Sequence, residues 1–131
     1  MDRRLLQVAA LNGFLAVALG AFGAHGLKGF VEGMEDAAQR LAWWDTAAHY
    51  HLTHALALGL AAWAATRSSG RLAKASGWCF QLGILLFSGS LYAMTLTGVR
   101  VLGAVTPIGG VLLLAGWVCV GLSARGSKEG A

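Results

Sequence analysis

Charge is scarce in this chain: 12% of its 131 residues are Asp, Glu, Lys or Arg, and they lie almost entirely outside four long apolar stretches. No carboxylate pair falls within those stretches, which removes the usual acid/base machinery from the apolar regions. No Gly-x-Ser-x-Gly elbow, phosphate-binding loop or Cys-x-x-Cys-His haem-attachment motif is present. Cysteine occurs twice, as Cys79 and Cys119, both expected at similar depth on the reducing side of a membrane, so packed thiols are expected instead of a disulfide. These absences point to a non-enzymatic role without a cofactor.

What fills the chain is apolar sequence of membrane-spanning length, at Leu5–Ala24, Ala47–Thr66, Ala75–Thr97 and Val105–Ser123. Roughly 20 apolar residues in a helix cross a hydrocarbon core about 30 Å thick. With 56% hydrophobic residues, a soluble fold would lack the polar faces needed to cover itself. The expected architecture is an all-α integral membrane protein: one domain over residues 1–131, with four transmembrane helices in an antiparallel bundle. The first apolar region is longer than that of a secretory signal, so a retained helix is expected.

The net charge of +4 does not indicate nucleic acid, because the basic residues flank the spans instead of forming one patch. Arg3, Arg4, Arg67, Arg71, Lys74, Arg125 and Lys128 fall on one side of a four-span chain, whereas Lys28, Arg40 and Arg100 fall on the other with Glu32, Glu35, Asp36 and Asp45. The positive-inside rule then places both termini in the cytoplasm, and a bacterial inner (plasma) membrane is expected.

Between the first two spans, Glu35 to Trp44 contains no Gly or Pro and reads as an interfacial helical extension, with Trp43 and Trp44 at the headgroup level. Ser68-Ser69-Gly70 reads as a helix stop, Thr106-Pro107 as an N-cap followed by proline at the first helical position, and Gly126 to Gly130 as a frayed terminus. Ala16, Gly20 and Ala24 form a small-residue ridge on the first span, and Gly89, Ala93 and Thr97 another on the third. Such ridges allow close backbone approach within a bundle or between subunits. Gly109 and Gly110 are expected to do the same near the start of the fourth span.

Motifs recur on every span: Gly20-Ala-Phe-Gly-Ala-His-Gly-Leu27, Tyr50-His-Leu-Thr-His-Ala-Leu-Ala-Leu58, Phe87-Ser-Gly-Ser-Leu-Tyr92, and Thr106-Pro-Ile-Gly-Gly110 with Ala115-Gly-Trp117. Together they resemble the domain of unknown function 423 family, the YgdD-like and transmembrane protein 256-like small inner-membrane proteins. The resemblance covers nearly the whole chain and implies a four-helix membrane protein with no established activity. It places His25, Tyr50, His54, Ser88, Ser90, Tyr92, Thr106, Pro107, Gly109 and Gly110 at motif positions. His49 and His51, the second lying inside the Tyr50–Leu58 run, are extras of this chain and not hallmarks of the family.

The expected topology gathers His25, Tyr50, His54, Ser88, Ser90, Tyr92 and Thr106 in the outer half of the membrane. Polar groups there face the bundle interior, where they pair or line a cavity. Three readings are open. The set locks the helices by hydrogen bonds of about 0.6 to 2 kcal/mol each. It lines a pocket for a lipid, a quinone or a small solute, with histidine as proton carrier. Or His25 and His54, with His51, bind a metal or haem iron. Asp45 with His49 forms a peripheral variant, and Ser88 or Ser90 with His54 a hydrolytic one. The first reading favours an accessory or structural protein acting through homo-oligomerisation or a larger membrane complex; the second, a ligand-binding or transport protein.

Overall fold

The computed structural model describes residues 2–68 and 70–126; Ser69 of the expected helix stop, Lys128 and the terminus from Ser127 lie outside it. Its elements are helical: α1 (Arg3–Ala24), α2 (Gly26–Val31), α3 (Ala37–Ala64), α4 (Arg71–Thr97), a 3-10 turn (Arg100–Ala104), α5 (Thr106–Ser123) and a final 3-10 turn (Ala124–Gly126). Asp2 starts α1 by accepting the Leu5 N–H on its carboxylate at 3.2 Å. Gly98 ends α4 with φ +72°, a left-handed conformation that costs glycine nothing, and its N–H donates to the Met94 carbonyl at 2.8 Å.

Three segments are long and apolar enough to cross a membrane: Arg3–Ala24, Arg71–Thr97 and Arg100–Gly126. The remaining expected span, residues 47–66, coincides largely with α3, a helix of 28 residues and so about 42 Å long. Arg40, Asp45, His49, His51 and His54 make α3 more polar than its neighbours. The expected interfacial extension is continuous with it, since α3 already begins at Ala37.

Helices α3 and α4 pack along one another, with α1 lying along α3 and α5 along α4. Ala9, Ala57, Leu58, Ala61, Phe80, Ile84 and Leu113 form the main core, drawing on α1, α3, α4 and α5. Glycine brings the backbones together at defined places. A Cβ at Gly83 would come within 2.5 Å of Leu113 Cδ2, and one at Gly116 within 2.6 Å of the Phe80 ring. Gly109 meets backbone, the Leu86 carbonyl carbon and Phe87 Cα both lying 2.8 Å from where its Cβ would stand, whereas Gly110 meets only the Phe87 ring at 3.7 Å.

Three local expectations change. Trp44 is no headgroup anchor: it is 3% exposed, packs with Leu27 and Val31, and donates its indole N–H to the Leu19 carbonyl at 2.8 Å. The space for its ring comes from Gly23, where a Cβ would lie 2.5 Å from Trp44 Cδ1. Thr106 is the first residue of α5 instead of its N-cap, which is Val105, because the threonine hydroxyl is taken by a neighbouring helix. Of the two small-residue ridges, only Ala16 is fully buried; Ala24 is exposed, Ala93 half-buried, and a Cβ at Gly20 or Gly89 would meet no side chain within 4 Å.

Candidate functional site: a network of polar ties between helices

Of the residues expected to gather in one cluster, Ser88, Ser90, Thr106, His54 and Tyr92 instead make separate links between helices. Ser88 Oγ donates to the Ala47 carbonyl at 2.8 Å, joining α4 to α3. Ser90 Oγ and Thr106 Oγ1 share a hydrogen bond of 2.6 Å, joining α4 to α5. On α3, His54 lies 5% exposed; its Nδ1 meets the Tyr50 carbonyl at 2.7 Å and its Nε2 receives the Trp117 indole N–H from α5 at 3.1 Å.

Those partners fix the proton. A carbonyl can only accept and an indole N–H can only donate, so His54 is the neutral imidazole protonated on Nδ1. Both ring nitrogens are occupied. The Tyr50 ring stacks nearly parallel on His54 with centroids 5.9 Å apart, while its hydroxyl contributes no interhelix bond among the described residues. His25, at the break between α1 and α2, is exposed and joins none of these links.

His51, which is no hallmark of the family, is the centre of the longest connection. Its Nδ1 lies 3.0 Å from the Tyr92 hydroxyl of α4 and its Nε2 3.2 Å from Asn12 Oδ1 of α1. Asn12 in turn donates through Nδ2 to the Val8 carbonyl at 2.8 Å and to Gln81 Oε1 of α4 at 2.7 Å. The Val8 carbonyl sets the amide orientation, so Oδ1 is the atom facing histidine. His51 therefore carries its proton on Nε2, and Tyr92 donates to Nδ1. The chain Tyr92, His51, Asn12, Gln81 leaves α4, crosses α3 and α1, and returns to α4.

Asn12 and Gln81 are the participants that the motif reading missed, and their signal was in the sequence: each is an amide inside an otherwise apolar span. Arg40 was read only as a topology charge. It bonds Asp36 Oδ1 through Nε at 3.0 Å and donates Nη1 to the Thr95 carbonyl at 3.0 Å, while Thr95 Oγ1 donates back to the Arg40 carbonyl at 3.0 Å. This guanidinium occupies the last turn of α4, where carbonyls lack intrahelical partners.

Among the described residues, no group of three or more His, Cys, Asp or Glu side chains is placed to hold a metal ion. His51 and His54 face different neighbours, α1 and α4 for the first and α5 for the second. Cys79 and Cys119 are free thiols on α4 and α5. Among the described residues no buried side-chain nitrogen or oxygen is left without a partner. The surface grooves formed by described residues include one of about 350 Å³ at Trp44 and Lys28 and one of about 390 Å³ between α1 and α4. Neither is lined by His51, His54, Ser88, Ser90, Tyr92 or Thr106.

Apolar helices of membrane length, tied by polar pairs turned toward one another, define an integral membrane protein. The family model described as protein of unknown function (DUF423) matches residues 19–110, and the chain belongs to this family. It is similar to the UPF0382 membrane protein YwdK of Bacillus subtilis, 42% identical over 89% of this chain and 92% of the relative. A UPF0382 membrane protein of Haemophilus influenzae is 41% identical over 98% of this chain and 99% of its own. The UPF0382 inner membrane protein YgdD of Escherichia coli is 44% identical over 88% and 85%. No solved structure matches the chain.

Proposed function

We propose that the chain is a small non-enzymatic accessory or structural protein of the bacterial inner membrane, working as a homo-oligomer or within a larger membrane complex. It crosses the bilayer four times as an antiparallel bundle, with both termini cytoplasmic. The observation that carries this reading is the mutual satisfaction of the polar side chains within the helices: both nitrogens of His51 and of His54 are committed to partners in the same chain. A transport or ligand site in that half of the bundle requires donors and acceptors turned toward a cavity.

The same ties support α3 as the fourth span. A helix carrying three histidines is costly in lipid by itself, but α1, α4 and α5 supply partners for the two buried ones. The outward surfaces of α1 and α5 remain apolar, with Phe14 and Val17 on one and Val111, Leu114 and Val118 on the other, and these are the surfaces available to lipid or to other subunits. The inner-membrane name of the Escherichia coli relative supports the location.

Native mass spectrometry on protein extracted gently from its own membrane tests the assignment. The expected result is a homo-oligomer or a heteromeric complex with no small-molecule cargo whose binding depends on His54. A monomer carrying one small molecule, lost on His54→Phe while the fold survives, would replace it with the ligand-binding reading.

A further inference from the structure

The amino-terminal parts of α1 and α4 face one another across a groove of about 390 Å³, which touches the polar ties described above only at Gln81. Its rim carries Arg4 and Lys74, both exposed, and neither is in an ion pair among the described residues. The one carboxylate at the rim, Asp2, is engaged by the Leu5 backbone N–H at 3.2 Å. Within about one turn of the rim the walls become apolar, formed by Leu5 and Val8 on α1 and by the Trp78 indole, 69% exposed, on α4. At the far end stands Gln81, whose Oε1 is taken by Asn12, so its amide NH2 is the group it offers a ligand.

Cations at the rim, an amphipathic indole beside them and apolar walls beneath repeat the order of chemistries in a phospholipid, from phosphate through glycerol to acyl chain. We propose that this groove binds an anionic phospholipid, with its phosphate between Arg4 and Lys74 and an acyl chain along Val8 and Trp78. A free phosphate would make no use of the apolar walls, and a neutral partner helix would make none of the cations. The surrounding end of the molecule favours the same occupant, because Arg3, Arg67, Arg71 and Arg125 belong to the same side of the expected topology. The site rests on the four-span reading, in which α3 returns the chain so that the amino termini of α1 and α4 meet at one membrane surface; it does not depend on subunit number.

The test is lipid titration of the full chain in non-ionic detergent, followed by native mass spectrometry. The probes are phosphatidylglycerol, phosphatidylcholine and water-soluble glycerol phosphate. Two cations near the phosphate, opposed by the one carboxylate of Asp2, correspond to roughly a 5- to 30-fold preference for phosphatidylglycerol over phosphatidylcholine. Arg4→Gln with Lys74→Gln should abolish that preference, whereas Arg67→Gln with Arg125→Gln should leave it within about threefold. Circular dichroism verifies that both variants keep their helices. Phosphatidylglycerol brominated on its acyl chain should quench tryptophan fluorescence in the wild type and much less in Trp78→Phe. Equal binding of the two lipids, equal loss in both double variants, or displacement of phosphatidylglycerol by equimolar glycerol phosphate would overturn the proposal: the first removes charge selection, the second leaves only diffuse attraction, and the third leaves a phosphate site without a lipid.

Discussion

Trp117 donates its indole N–H to His54 Nε2 across 3.1 Å, so a residue on α5 sets the tautomer of a residue on α3. Because the Tyr50 carbonyl accepts from the opposite nitrogen at 2.7 Å, adding a second proton to this ring means losing the Trp117 bond. The imidazole acts here as a neutral connector with a direction.

Nitrogen-15 NMR of the imidazole rings should therefore show His54 protonated on Nδ1 and His51 on Nε2 in the same sample. Trp117→Phe should keep the aromatic packing against Phe80 but lower stability by about 0.6 to 2 kcal/mol, read by unfolding in mixed micelles. An Nε2-protonated His54 in the wild type would refute the assignment.

Asn12→Leu should cost more than Trp117→Phe, because it strands two groups at once: the His51 Nε2–H and the Gln81 oxygen. Unsatisfied buried polar groups cost about 1 to 3 kcal/mol each. Combining Asn12→Leu with His51→Leu should be less destabilising than the sum of the single changes, with a coupling of about 0.5 to 3 kcal/mol. Additivity in this cycle would mean that the two side chains are not bonded.

The two adjacent glycines of the fourth span should respond differently. Gly109→Ala drives a methyl into the backbone of Leu86 and Phe87, which cannot rotate away, and should destabilise by about 1 to 3 kcal/mol. Gly110→Ala meets only the Phe87 ring at ordinary contact distance and should be close to neutral. Equal effects on thermal unfolding would contradict this packing.

Arg40→Lys should weaken the junction of α3 and α4 although it keeps the charge. The guanidinium reaches Asp36 and the Thr95 carbonyl together, which a single ammonium cannot match with the same geometry. The expected loss is about 1.5 to 3 kcal/mol, the range for hydrogen bonds to charged groups. Hydrogen exchange at the last turn of α4 should rise in the variant.

Helix positions were legible because the length of an apolar run is a direct physical requirement of a membrane, and α1, α4 and α5 follow it within a few residues. Of the motif residues, Ser88, Ser90, His54 and Thr106 bond another helix, whereas His25 and the Tyr50 hydroxyl do not among the described residues. Which residue meets which was not legible, since that depends on the rotation and depth of each helix relative to its neighbours, and these are set jointly by all the packed faces. Ser90 and Thr106 could be placed in the same half of the membrane but not paired. Trp44 misled for a related reason: tryptophan favours an interface, yet Gly23 opposite it makes room for burial, and one helix alone does not reveal that. His51 entered the sequence reading only as a metal or haem ligand, whereas its position one turn before His54 on a largely apolar helix also fits a tie to neighbouring helices.

The chain from Tyr92 through His51 and Asn12 to Gln81 also carries an order of assembly. Asn12 leaves the ribosome long before Gln81, 69 residues later in the chain, and both residues that bond its side chain from other helices lie downstream. During synthesis α1 enters lipid with its amide satisfied only by its own helix, through the Val8 carbonyl. The Asn12 side chain is thus fully partnered only once both α3 and α4 have been made, so the last of its ties between helices forms late in the assembly of the bundle.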